Sequence, residues 1–81
     1  MLPNRGDNLI KIGQLAKLAG VLSSTIHFYT QMGLLQFAAE TRGGYRLYDK
    51  HQAINRLKQI RDLQEKKRLT IAEIKKYNFK D

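Results

Sequence analysis

Four side chains between Ser23 and Gly33, in the stretch SSTIHFYTQMG, fall at helical spacing on one face: Ser24, His27, Phe28 and Gln31. Their chemistry is hydrogen bonding and ring contact through a hydroxyl, an imidazole, a phenyl ring and a primary amide. None is negatively charged, so the stripe can approach a polyanion without repulsion. Leu22, Ile26 and Tyr29, with Gly33, form the opposite stripe and read as the core face, Tyr29 with a partnered hydroxyl. Ser23 or Ser24 is placed to cap the start of this helix. The outward stripe is expected to touch nucleic acid.

A second group lies at Arg42-Gly43-Gly44-Tyr45-Arg46. The two glycines supply a turn with positive φ, and Tyr45, Arg46, Leu47 and Tyr48 alternate in direction as in a β-hairpin. Tyr45 and Leu47 share one face, Arg46 and Tyr48 the other. A two-stranded flap cannot stand alone in water, so one face must lean on the helices. Arg46 is expected opposite the buried face, where its guanidinium would meet phosphate, with Arg42 nearby in the loop.

Catalytic chemistry finds no comparable arrangement. The chain has no cysteine, hence no thiol nucleophile, disulfide or thiolate metal site. Ser23 and Ser24 stand near His27 with no orienting carboxylate in the segment, and the acidic residues are scattered or placed as helix caps. The glycine pair precedes a strand and lacks the phosphate-loop pattern. No enzyme, cofactor or metal site is expected.

The elements that must position these groups follow from periodicity. Ile12, Leu15, Ala16 and Ala19 recur at i, i+3, i+4 and i+7, and Gly20 follows the last of them, where a left-handed residue ends a helix. Val21 and Leu22 pack the corner before the next helix. Helix, glycine turn, helix is the helix-turn-helix arrangement, whose second helix commonly enters the major groove. Asp49 begins a third helix, with Gln52 able to reach back to it. Ala53, Ile54, Leu57, Ile60 and Gln64 form its inward stripe, and Arg56, Lys58 and Arg61 leave its other sides basic. After Lys66-Lys67-Arg68, Thr70 and Glu73 form a capping box ahead of Ile71, Ile74 and Tyr77. The expected fold is mainly α with a small β-hairpin, in the order helix, helix, hairpin wing, helix, helix. It occupies residues 10–77, between a flexible arm at 1–9 and a tail at 78–81.

Charge says what such a domain meets. Fifteen Lys and Arg against seven Asp and Glu give +8 and a pI near 10.1, in the range where a basic domain is a nucleic-acid candidate. The alternative reading of that charge is a solvated basic surface. The N-terminal MLPNRGDN has no apolar signal core and no apolar run is long enough to cross a bilayer, so a cytoplasmic location is expected.

The segments Ile12-Gly13-Gln14-Leu15-Ala16, Gly20-Val21, Thr25-Ile26-His27-Phe28-Tyr29, Gly33-Leu34-Leu35 and Gly44-Tyr45-Arg46-Leu47-Tyr48-Asp49 resemble the DNA-binding domain of the MerR family of bacterial transcription regulators. Leu57, Ile60, Arg61, Leu63 and Thr70-Ile71-Ala72-Glu73-Ile74 continue the resemblance, which covers residues 10–77. It implies a winged helix-turn-helix that binds double-stranded promoter DNA as a homodimer. With effector bound, such a regulator bends and untwists the duplex so that RNA polymerase can use it. Carried over by position, contacts would come from Ser23, Ser24, His27 and Phe28 on the second helix, and from Tyr45 and Arg46 on the wing. Nucleoid association is expected with it.

Several positions depart from the family pattern. His27 stands where an arginine is usual and Phe28 where tyrosine is often found, and Glu40 takes a position that is often basic, with Arg42 two residues on. The family's long dimerisation helix has no room in the four residues after Tyr77, which suits an isolated domain, a small member, or a relative such as the excisionases, which bend DNA architecturally. A reading from a different class is a basic protein-interaction module, with Phe28 and Phe37 docking on an acidic partner.

Overall fold

In the computed structural model, which describes residues 8–77, the chain runs β1 (Leu9–Lys11), α1 (Ile12–Ala19), α2 (Ser23–Gln31), β2 (Ala39–Glu40), β3 (Arg46–Asp49), α3 (Lys50–Glu65) and α4 (Ile71–Lys76). Residues 1–7 of the expected arm and the expected tail at 78–81 lie outside the described residues. The helix, helix, wing, helix, helix order expected from periodicity is the order found.

The helix ends follow their local chemistry. Gly20 closes α1 at φ 70°, and the Gly20 and Val21 N–H groups both donate to the Ala16 carbonyl. At the end of α2, Leu34 N–H donates to Tyr29 and Gly33 N–H to Thr30, satisfying carbonyls the helix leaves open. The Asp49 carboxylate accepts the Gln52 N–H at 3.0 Å and starts α3. Leu22, not Ser23 or Ser24, is the N-cap of α2, and its extended backbone takes its side chain out of the helical frame. Leu22 is therefore 71% exposed instead of joining the inward stripe.

The core has two centres. Leu15, Ile26, Leu35, Tyr48, Ala53 and Leu57 pack between α1, α2, β3 and the start of α3. Leu34, Ile60, Leu63 and Ile74 pack between the end of α2, the rest of α3 and α4. Tyr29 touches both centres, and its hydroxyl donates to Gln64 Oε1 at 3.2 Å. Leu63, rather than Gln64, completes the buried stripe of α3, while Gln64 remains exposed as the partner of Tyr29. Arg56 donates to the Leu34 carbonyl at 3.3 Å and Arg61 to the Ala19 carbonyl at 3.5 Å, where α1 ends and a cation is favoured. Part of the basic flank of α3 thus ties helix ends together.

The wing is a three-stranded antiparallel sheet in the order β1-β3-β2, not a hairpin alone. Leu9, assigned by sequence to the arm, pairs with Asp49, Ile10 with Tyr48 and Lys11 with Leu47. Three residues are too few for periodicity to register, and their partners lie far along the chain. At the tip, Gly44 N–H donates to the Thr41 carbonyl and Tyr45 N–H to Thr41 Oγ1. Of the two wing glycines Gly44 has positive φ, at 83°, and Gly43 does not, whereas a Cβ on Gly43 would stand 3.2 Å from the Tyr45 ring. One glycine serves the turn and the other gives the ring room.

The cap of α4 makes a prediction that separates local from global stability. Thr70 N–H donates to Glu73 Oε1 at 2.9 Å and Glu73 N–H to Thr70 Oγ1 at 3.2 Å. The Thr70 backbone bond, helped by the Thr70 hydroxyl, holds the Glu73 carboxyl below the ordinary glutamate range. Because the folded value is the lower one, this stabilisation is complete above the unfolded glutamate range and fades as pH falls through the depressed folded value. Thr70→Ala should cost about 1 kcal/mol in urea unfolding at neutral pH. The difference between the two proteins should shrink in acid. Both proteins keep the residue-70 N–H bond to Glu73, so a difference that stayed constant with pH would mean that the Thr70 hydroxyl adds nothing to the lowering of the Glu73 carboxyl.

Candidate nucleic-acid interface

The first turn of α1, the exposed side of α2 and the wing tip enclose an open cleft of about 850 Å³. Its walls are Lys11 to Gln14 and Lys17 from the β1-α1 segment, His27 and Gln31 from α2, and Glu40, Gly44, Tyr45 and Arg46 from the wing. Three cations against one carboxylate leave the lining net positive. The N-terminus of α1 opens on the same cleft, and its dipole adds to the attraction for anions. Lys11 N–H is occupied by Gln14 Oε1 at 3.2 Å.

Aromatic rings carry the cations of the wing. Arg46 Cζ lies 5.1 Å from the centre of the Phe37 ring, and Lys11 Nζ lies 6.0 Å from that of Tyr45, which is itself 67% exposed. Arg46 shares its strand face with Tyr48, the most deeply buried ring of the core. The expectation that Arg46 stands opposite the buried face is therefore corrected. Alternation pairs Arg46 with Tyr48 whichever face is buried, and the buried one is theirs. Arg46 still lines the cleft, because it lies at the start of β3 where the sheet leaves the core.

A part-buried hydrogen bond ties the helix to the wing. Thr30 Oγ1 donates to the Ile26 carbonyl at 2.7 Å and lies 2.9 Å from the Tyr48 hydroxyl. Since the Thr30 hydrogen is already used, Tyr48 donates to Thr30. This joins α2 directly to β3.

Of the residues expected from sequence, His27, Tyr45 and Arg46 are brought together on the cleft. Ser23 is the half-buried first residue of α2, and Ser24 is exposed one turn before Phe28. Phe28 is 44% exposed beside the cleft, its ring 6.0 Å from that of Tyr29 and tilted by 50°. Arg42 is exposed in the turn at the wing tip. These four do not line the cleft itself. Lys11, Gln14 and Lys17 do line it, and sequence reasoning does not single them out. Their three-residue spacing was the available signal, a polar stripe on α1 opposite its core face.

Among the described residues, no three His, Cys, Asp or Glu side chains are grouped to hold a metal ion. Likewise, no described helix is long and apolar enough to cross a membrane.

The sequence that folds into this helix pair and wing matches a known family. The model of the MerR HTH family regulatory protein matches residues 10–78. The chain belongs to the MerR family. MerR-family proteins are regulators rather than enzymes. The nodulation protein NolA of Bradyrhizobium elkanii is 44% identical over 55 residues, covering 68% of this chain and 25% of that protein. The HTH-type transcriptional regulator CueR of Bacillus subtilis is 41% identical over 70 residues, covering 86% of this chain and 47% of CueR. Among solved structures, the lead(II) complex of the transcription regulator PbrR691 from Ralstonia metallidurans superposes with a TM-score of 0.70 at 39% identity, covering 83% of this chain and 51% of that one. A MerR-family transcriptional regulator from Bacillus cereus superposes with a TM-score of 0.70 at 26% identity, covering 84% and 49%. The chain spans between a quarter and about half the length of these relatives.

Proposed function

We propose that this MerR-family domain binds double-stranded DNA sequence-specifically as part of a transcription regulator. In this reading α2 lies in the major groove and the wing on the phosphate backbone. The observation that carries it is the positive cleft joining His27 and Gln31 of α2 to Tyr45 and Arg46 of the wing and to the start of α1. Phosphate contacts from Lys11, Lys17, Arg42 and Arg46 position the domain, and Ser24, His27, Phe28 and Gln31 meet base edges. Ser23 lies at the start of α2, within reach of the backbone.

The further steps extend this reading. Helix and wing engage successive parts of one duplex face, so a dimer of such domains would bend or untwist promoter DNA and select sites by their deformability. Presentation of that promoter to RNA polymerase belongs to the same proposal, as does a nucleoid location. The protein-docking alternative uses Phe28 and Phe37 as anchors, but Phe37 already has the Arg46 guanidinium over its ring.

The test is an open-ended selection for bound duplexes, followed by affinity measurements across salt. Log K should fall linearly with log[salt] with a slope of about −0.9 per phosphate neutralised. A flat slope, or no duplex binding at low salt, would exclude the proposal.

His27 makes a separate prediction. Its imidazole lines the cleft and can donate one hydrogen bond to the duplex. His27→Ala should therefore weaken duplex binding about two- to tenfold at fixed salt, the loss of one hydrogen bond of about 0.5–1.5 kcal/mol. Equal affinity of the two proteins would remove His27 from the interface.

A further inference from the structure

Phe28 places a large apolar ring on the most polar face of α2. It has Ser24 one turn earlier and His27 beside it, and it is 44% exposed. Its position is not loose. The ring behind it belongs to Tyr29, 6.0 Å away, and Tyr29 is held by both core centres and by its bond to Gln64. One side of Phe28 is thus supported by a fixed neighbour while the other is open. No hydroxyl is present on the ring to bond phosphate or a base edge.

In the major groove, the base-edge group that suits such a surface is the C5-methyl of thymine, since the other edges present hydrogen-bond donors and acceptors. We infer that Phe28 is a specificity-determining residue that selects a thymine methyl in the bound duplex. The inference rests on the DNA-binding reading above and adds the base feature that α2 recognises. The flanking Ser24 and His27 supply hydrogen bonds to neighbouring edges, and the ring excludes water from the methyl.

The experiment uses the best duplex from the selection, with each thymine replaced in turn by uracil, which removes only the methyl. At one position per half-site the affinity should drop about fourfold, the equivalent of about 0.8 kcal/mol for one methyl-sized group returned to water. Phe28→Ala should bind more weakly overall and lose sensitivity at that position alone, while Phe28→Leu should keep part of it. Placing 5-methylcytosine, paired with guanine, at the same position should bind more tightly than cytosine does. Salt-dependent binding with no thymine-to-uracil effect, or with the same effect in Phe28→Ala, would overturn this inference and leave the DNA reading intact. Absence of duplex binding at low salt would overturn both.

Discussion

Tyr48→Ala is expected to destabilise the domain severely. Tyr48 is fully buried, pairs with Ile10 across the sheet and donates its hydroxyl to Thr30 of α2. Removing a buried aromatic ring costs about 3–5 kcal/mol, a large share of the roughly 5–15 kcal/mol that holds a domain together. A small domain has little surplus, because it buries a modest fraction of its surface. Tyr48→Phe isolates the hydroxyl. The ring remains and Thr30 keeps its bond to the Ile26 carbonyl, so the cost should be about 1 kcal/mol. Urea unfolding followed by circular dichroism would order the three proteins as wild type, Tyr48→Phe, Tyr48→Ala. Equal midpoints for the two variants would mean that the ring contributes nothing beyond its hydroxyl, contrary to its burial.

The second large effect concerns binding rather than folding. Arg46→Ala should weaken duplex binding about ten- to hundredfold at low salt, the loss expected for a charge-assisted hydrogen bond worth about 1.5–3 kcal/mol. It should also reduce the magnitude of the salt slope by about 0.9, since one phosphate is no longer neutralised. Stability should change little, because Arg46 is only half-buried and leaves Phe37 as its main neighbour. Arg46→Lys keeps the charge but loses the planar stack on Phe37. The lysine variant should therefore retain the slope while recovering only part of the affinity. If Arg46→Ala left affinity and slope unchanged, Arg46 would not be a phosphate contact.

The two residues differ in how readable they are. Tyr45 to Tyr48 alternate plainly in the sequence, so that Arg46 and Tyr48 share a face needs no structure. Which of the two faces is buried does need one, because alternation is symmetric between faces. Packing against α2 and the Thr30 hydroxyl decides it in favour of Tyr48. Arg46 reaches the cleft only because the strand leaves the core at that end. Leu22 shows a similar limit: its spacing from Ile26 is helical, but its backbone is not.

Helix periodicity, the glycine stop and the acidic and threonine caps act through residues within four positions of each other, so the sequence alone determined the four helices, the Gly20 end of α1, the Asp49 and Thr70 starts of α3 and α4, and the polar outward side of Ser24 to Gln31. Pairing of Leu9–Lys11 with Leu47 to Asp49, and closure of one cleft from α1, α2 and the wing, join segments far apart in the chain. Those required the tertiary structure. Contacts of that kind depend on which surfaces are buried together, and no local propensity contains that information.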